Sequence, residues 1–142
     1  MRLVKRRHTF VERELANALR ECGLRFSTHR SICGCAPDIV FSLDRFVVFV
    51  DGDFWHGRIL IERGRRALVR TFSPHVRDFW VAKIIRNVDR DQRQCKILRR
   101  SGWSVLRLWE KDVLRNPSKA AVLIHQRVNR RRAQMKRRLD AA

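Results

Sequence analysis

The sequence predicts an α/β fold in which a mixed central sheet is flanked by helices. Two apolar runs, Ile39-Val40-Phe41 and Phe46-Val47-Val48-Phe49-Val50, are short and rich in β-branched and aromatic residues. Only a polar gap, Ser42 to Arg45, separates them, the pattern of adjacent buried strands. A third run, Trp103 to Trp109, alternates as a strand, and the stretches before, between and after these runs carry apolar residues at helical spacing. Helices interleaved with strands in this order cover a sheet.

The elements follow in turn. Thr9 to Glu21 sets Val11, Leu15, Ala18 and Leu19 on one helical face, with Thr9 as N-cap, Glu12 completing a capping box and Cys22-Gly23 as the stop. Arg25 to Ile32 holds a short edge strand, followed by a Cys33-Gly34-Cys35 turn. Strands over 38–43 and 46–51 form an antiparallel hairpin around Leu43-Asp44-Arg45. The basic, poorly periodic stretch 58–73 reads as a loop with a helical turn. From Asp78 to Arg100 the apolar positions Phe79, Trp80, Ile84, Val88, Cys95, Ile97 and Leu98 describe one long helix, stopped by Ser101-Gly102. Asn116-Pro117-Ser118 opens a last helix through Ala121, Ile124 and Val128 into an Arg/Lys-rich end. Trp103 and Trp109 are assigned to the core.

At 142 residues, with 44% hydrophobic residues, the chain reads as a single domain over 1–142, with a core over about 9–125 and a basic C-terminal helix over about 118–139. Lys+Arg 33 against Asp+Glu 14 gives a net charge of +19, a field that attracts polyanions. The plain reading of that charge is a ribosomal-type or general RNA-binding protein. A membrane is the competing polyanion, but no apolar stretch approaches the roughly 20 residues of a bilayer span and no signal peptide opens the chain. A bacterial-type cytoplasmic, nucleoid-associated location is expected. The run Arg127 to Arg138 (RVNRRRAQMKRR) is dense enough in charge to contact phosphates. Cys22, Cys33, Cys35 and Cys95 lack metal-ligand spacing, so they predict reduced thiols and no zinc site.

The chemistry concentrates in residues 36–57. Asp38 follows Pro37 at the start of the first strand, and the second strand ends in Asp51-Gly52-Asp53-Phe54-Trp55-His56-Gly57. Pairing the two strands gathers a small acidic cluster inside a strongly basic chain. That suits a hard divalent cation acting on a phosphodiester. Each residue also has a structural reading: Asp38 as a strand-start acid, His56 as a core or surface histidine, Asp91 as part of a solvated helix face, Glu12 as a capping acid, and Phe54, Trp55 and Trp80 as core aromatics.

A series of motifs then narrows the field. Thr9-x-x-Glu12, Pro37-Asp38, Asp51-Gly52-x-Phe54-Trp55-His56, Phe79-Trp80-x-x-Lys83-Ile84-x-x-Asn87-x-x-Arg90-Asp91 and Gly102-Trp103-x-Val105-x-x-x-Trp109-Glu110 resemble the very-short-patch-repair (Vsr) mismatch endonucleases, a branch of the PD-(D/E)XK nuclease fold. The resemblance runs over residues 9 to 112 in order and spacing, and it implies a PD-(D/E)XK core and a Mg²⁺-dependent enzyme, or one using Mn²⁺ in its place. Such an enzyme nicks one strand of duplex DNA at a T·G mismatch. It implies that Asp38 binds the metal with the backbone carbonyl of Val50, that His56 is the general base, and that Asp91 orients it. Glu12 is implied to support the site from the first helix. Phe54, Trp55 and Trp80 match aromatics that wedge between base pairs, and Lys83 and Asn87 match positions facing the mispaired bases.

Three departures accompany the resemblance. Where the family holds a structural zinc, this chain has Asp53, residues 57–60 without Cys or His, and Lys111, so that zinc is expected to be absent and the 57–73 segment ordered otherwise. Only Met1 to His8 precede Thr9, so the family's basic N-terminal arm is expected to be missing, or supplied by a protein partner. Asp51 stands where a second histidine occurs in the family; Asp51 and Asp53 are both candidates to approach the metal, and strand alternation would point them the same way. Two alternatives remain beside the mismatch-repair reading: a non-catalytic nuclease-fold DNA-binding module of a repair or defence assembly, and a less selective defence or restriction-type nuclease.

Overall fold

Strand alternation decides which side chains meet which helix layer, and it places the site. The computed structural model describes the backbone of residues 2–142 and the side chains of residues 10–142. Its elements are α1 (Arg2–Glu21), β1 (Ser27–Thr28), β2 (Ile39–Phe41), β3 (Phe46–Asp51), α2 (Arg58–Arg63), α3 (Arg65–Arg70), α4 (Pro74–Arg100), β4 (Ser104–Trp109), α5 (Glu110–Arg115) and α6 (Pro117–Asp140). The sheet order is β1-β2-β3-β4, with β1, β2 and β3 antiparallel and β4 parallel to β3. Register pairs Ile39 with Val48, Phe41 with Phe46, Val47 with Val105 and Asp51 with Trp109. The predicted α/β fold, a mixed central sheet flanked by helices as in a PD-(D/E)XK core, is the one observed.

One sheet face carries Ile39, Phe41, Phe46, Val48 and Val50, packed with Val11, Leu15 and Leu19 of α1 and Ala121, Ile124 and Val128 of α6. The other carries Val40, Val47 and Phe49, packed with Leu98 of α4. Each such side chain, when fully buried, contributes roughly 1.5–3 kcal/mol. The period of two then assigns the polar residues: Asp51 follows Phe49, and Arg107 follows Val105, onto the α4 side.

At 27 residues α4 is about 40 Å long, twice the span of a six-residue strand, so its N-terminal half overhangs the sheet. That overhang is covered by α2 and α3, through Leu60 and Leu68 on Val81, Ile84 and Val88.

The structure corrects several expected boundaries. The first helix begins at Arg2, so Thr9 is interior rather than the N-cap; its side chain lies outside the described residues. No Gly or Pro precedes Thr9 in the sequence to stop the helix short of Arg2. The helix ends as read: Gly23 adopts φ 75° while its amide reaches Arg20 O at 2.9 Å and that of Leu24 reaches Leu19 O at 3.1 Å, a Schellman motif. The 58–73 segment is two short helices rather than a loop, because docking on α4 supplies what their short periodicity lacks. The helix α5 was not anticipated, and Trp103 and Trp109 are half-buried rather than core.

Gly57, which no sequence signal singled out, joins the site to α4. It is buried at φ 69°, and an added Cβ would lie 2.6 Å from Val88 Cγ2 and 2.9 Å from Ile84 Cγ2. Left-handed backbone costs a non-glycine residue roughly 1–2 kcal/mol and overpacking roughly 1–3. Gly57→Ala is therefore expected to lose on the order of 2–4 kcal/mol in a urea titration. A loss under about 0.5 kcal/mol would show that the turn relaxes away from α4.

Candidate active site

The carboxyl end of β3 meets the start of β2 at one pole of the sheet. Asp38 Oδ2 accepts the Val50 amide at 2.7 Å, and the Asp38 amide donates to Val48 O at 3.0 Å, so the carboxylate is fixed against the last residues of β3. Asp51, the final residue of β3, is 5% exposed, and Arg107 of β4 grips it with Nε–Oδ2 at 2.7 Å and NH2–Oδ1 at 3.3 Å.

Beyond Asp51 the chain turns tightly, with the His56 amide on Gly52 O at 3.1 Å and the Gly57 amide on Phe54 O at 3.3 Å. The turn returns His56 to the site, where Nδ1 lies 2.6 Å from Asp91 Oδ2 on α4 and 3.6 Å from Asp51 Oδ1. Asp91 is also approached by Arg107 NH2 at 3.4 Å and Arg90 NH2 at 3.8 Å. Burial pushes the Asp91 carboxyl up, but the hydrogen bond and charge of His56, with Arg107 and Arg90, outweigh it and hold the group below the usual carboxylate range. Burial pulls the Arg107 guanidinium down, while Asp51, Cys95 and Asp91 reverse this and leave it above its ordinary value.

Asp38, Val50, Asp51, His56, Arg90, Asp91 and Arg107 line one cavity of about 280 Å³. Three carboxylates face two guanidiniums there, so acids outnumber guanidiniums by one in the lining of a chain of +19. Hard oxygen donors in such excess fit a Mg²⁺ ion held by one or two carboxylates and waters. Among the described residues no group of three or more His, Cys, Asp or Glu side chains is arranged to hold a metal ion.

Four of the five candidate catalytic residues converge in this way. Glu12 does not line the cavity; its carboxylate lies 3.4 Å from His29 Nε2, beside the edge strand β1. Asp53 also differs from expectation, because the strand ends at Asp51 and the turn carries Asp53 out of the cavity. It accepts Arg58 NH1 at 2.8 Å and the Lys111 amide at 3.1 Å. Arg58 further binds Glu62 at 2.9 Å and Asp112 at 3.1 Å, and its guanidinium lies over Trp109. Thus two of the places where the resemblance puts zinc ligands, 53 and 111, are hydrogen-bonded to each other through the Lys111 amide.

Residues 54 and 55 point to the outside of the same turn. Phe54, Trp55, Phe72, Phe79 and Trp80 form an aromatic patch with ring centroids 5.2–6.3 Å apart. Trp80 is its half-buried hub, while Phe54 and Trp55 remain 43% and 37% exposed. Lys83 Nζ lies 5.0 Å from the Trp55 ring and 5.6 Å from that of Trp80, and Asn87 Nδ2 donates to Trp55 O at 2.9 Å. Both predicted base-facing residues therefore brace the patch.

Sequence reasoning missed Arg107, Arg58 and Phe72. Only Arg107 left a signal: a charge at an inward position of an alternating strand, which calls for a buried counter-charge.

A mixed sheet between helices, with acids at the junction of two adjacent strands, defines a nuclease-type α/β core. Comparison with known proteins makes the assignment specific. A family model for the DNA mismatch endonuclease Vsr matches residues 1–61. The chain is 36% identical over 124 residues to the type II nicking enzyme V.NmeDIP of Neisseria meningitidis serogroup C, covering 87% of this chain and 80% of that protein. It is 36% identical over 129 residues to the type II nicking enzyme V.HpaIIP of Haemophilus parainfluenzae, covering 89% and 86%. It is 34% identical over 110 residues to the DNA mismatch endonuclease Vsr of Escherichia coli (strain K12), covering 78% and 66%. The chain belongs to the Vsr endonuclease family, and it is a DNA endonuclease.

The lowered Asp91 pKa links the site to stability. A depressed carboxyl contributes stability that is fully present above its unfolded pKa, about 4, and is lost as pH falls through the folded value. Asp91→Asn is therefore expected to be destabilised relative to wild type at pH 6, with the difference shrinking below about pH 4. Urea titrations across that range check it; a gap that widens on acidification would reverse the assignment.

Proposed function

We propose that this endonuclease nicks one strand of duplex DNA at or next to a T·G mismatch, by Mg²⁺-dependent hydrolysis. The supporting observation is that one turn, residues 51–57, delivers Asp51 and His56 to the cavity and the exposed rings of Phe54 and Trp55 beside it. Rings that insert beside a base pair unstack a step at a cost of a few kcal/mol, lowest where the pair is already mismatched. The name of the Escherichia coli relative, a mismatch endonuclease, agrees with that use of the patch.

Asp38 and Asp51, with the Val50 carbonyl, would hold Mg²⁺, which when bound neutralises charge on the phosphoryl oxygens. His56 has its Nδ1 committed to Asp91, so Nε2 is the atom that takes the proton from the attacking water. Asp91 then stabilises the imidazolium. Arg107 lies between Asp51 and Asp91 and offers its guanidinium to both carboxylates.

Asp38→Ala is expected to abolish nicking while binding DNA as tightly as wild type or more so, since an anion facing phosphate is removed. His56→Ala is expected to lower the rate by about two to four orders of magnitude with the fold intact by circular dichroism. Near-normal nicking by either variant on labelled T·G duplexes in Mg²⁺ would overturn the assignment. Trp55→Ala is expected to erase the preference for T·G over matched duplex more than it lowers affinity. A variant that keeps the wild-type ratio would remove the patch from mismatch selection, and equal cutting of all duplexes by wild type would favour the less selective nuclease.

A further inference from the structure

The strongest positive charge in the chain lies at the far end of the molecule from the cavity. Residues 127–138 hold seven cations and no acid. The helix α6 that carries them packs on the α1 face of the sheet, whereas the cavity opens on the α4 face. Along the strands the separation is equally clear. Asp44 and Gly102 lie at the turn pole, at the opposite ends of β3 and β4 from Asp51 and Trp109. Arg132 pairs with the buried Asp44 carboxylate at 2.8 and 3.1 Å, while Arg131 donates to Asp44 O at 3.1 Å and Gly102 O at 2.6 Å. These contacts pin α6 to that pole, about 17 Å from the cavity end of β3. The helix then runs on for eight residues, about 12 Å further.

Two of the seven cations are consumed by that anchor. Of the rest, Arg127, Arg130 and Arg137 fall at i, i+3 and i+10, with Gln134 at i+7, on one exposed stripe. None of the three has a carboxylate partner among the described residues. Three guanidiniums and an amide over about 15 Å of helix offer donors to a short run of backbone phosphates. A flank whose one acid on this helix, Asp140, lies beyond the last arginine and which carries no exposed apolar ring suits phosphate rather than a folded protein surface.

We propose that the Arg127, Arg130 and Arg137 stripe is a second phosphate-binding surface, which holds the backbone of another duplex DNA segment while the cavity and aromatic patch hold the segment being nicked. This rests on the reading that the cavity acts on duplex DNA. Being on the other face and at the other pole, the stripe leaves a duplex in the cavity undisturbed. Two distant sites on one DNA, or two molecules, are thereby held by one chain.

The test is the count of duplexes per chain, by sedimentation velocity in chelator with excess T·G duplex of about 14 base pairs, roughly 48 Å long. Wild type is expected to bind two. The triple variant Arg127→Gln, Arg130→Gln, Arg137→Gln is expected to bind one, with its nicking rate in Mg²⁺ within about twofold of wild type. A control triple at the exposed Arg13, Arg25 and Arg99, changed to Gln, is expected to bind two. One duplex on wild type, an equal loss in the control triple, or a tenfold loss of nicking in the stripe variant would each overturn the proposal. So would a stripe that takes polyglutamate while wild type binds a single duplex, which would assign it to an acidic protein. Nicking and stoichiometry are read on the same proteins, so a count of two without nicking supports the stripe while failing the cavity.

Discussion

Asp91 must satisfy two partners at once, and much of the pole around it is arranged so that it can. Its carboxylate takes His56 Nδ1 at 2.6 Å on one oxygen and approaches Arg107 at 3.4 Å on the other, while Arg107 holds Asp51 at 2.7 Å. The chain His56, Asp91, Arg107, Asp51 thus ties the turn after β3, the long helix α4 and the parallel strands β3 and β4 into one charged network. Buried charges of this kind are costly unless every member is paired, and removing one partner leaves the others exposed to that cost. The overhang of α4, the close fit of Gly57 against Val88 and the docking of α2 and α3 all keep Asp91 and His56 on speaking distance.

A second cluster steadies the outer side of the same turn. Arg58 gathers Asp53, Glu62 and Asp112, and Asp53 also accepts the Lys111 amide. Hydrogen bonding to Asp53 raises the Arg58 guanidinium above its ordinary value, with burial opposing and Asp112 and Glu62 adding to the rise. Exposed pairs contribute little singly, but here one guanidinium closes a loop between the turn, α2 and α5, the segments that the resemblance would join by zinc. The Cys33-Gly34-Cys35 turn is far from this role: Cys35 is buried, and burial pushes its thiol up.

The parts of the fold legible in the sequence were those governed by local pattern. The apolar runs marked β2 and β3 and their antiparallel pairing, and Ser101-Gly102 and Asn116-Pro117 set helix boundaries. Segments that fold through distant contacts were not legible. α2 and α3 have too few turns to show a stripe, and they exist because Leu60 and Leu68 dock on α4. In the site, Asp38, Asp51, His56 and Asp91 were legible through their motif spacing. Asp53 was misplaced because alternation was carried past the end of β3 into a turn. Glu12 is not among the residues that line the cavity, because helix spacing gives a face and not a distance; His29, just beyond β1, lies 3.4 Å from its carboxylate. Arg107 was overlooked because one charge in a strand looks like a solvent-facing residue until its partners are known.

The central claim is that Asp91 fixes one tautomer of His56 and leaves Nε2 as the basic atom. Imidazole ¹⁵N chemical shifts of the ¹⁵N-labelled protein, followed upward in pH until they no longer change, read this directly. The account predicts a protonated Nδ1 and a bare Nε2 in wild type, and a mixture of tautomers in Asp91→Asn. A wild-type His56 carrying its proton on Nε2 would contradict it, because the nitrogen facing the water would then have no lone pair to offer.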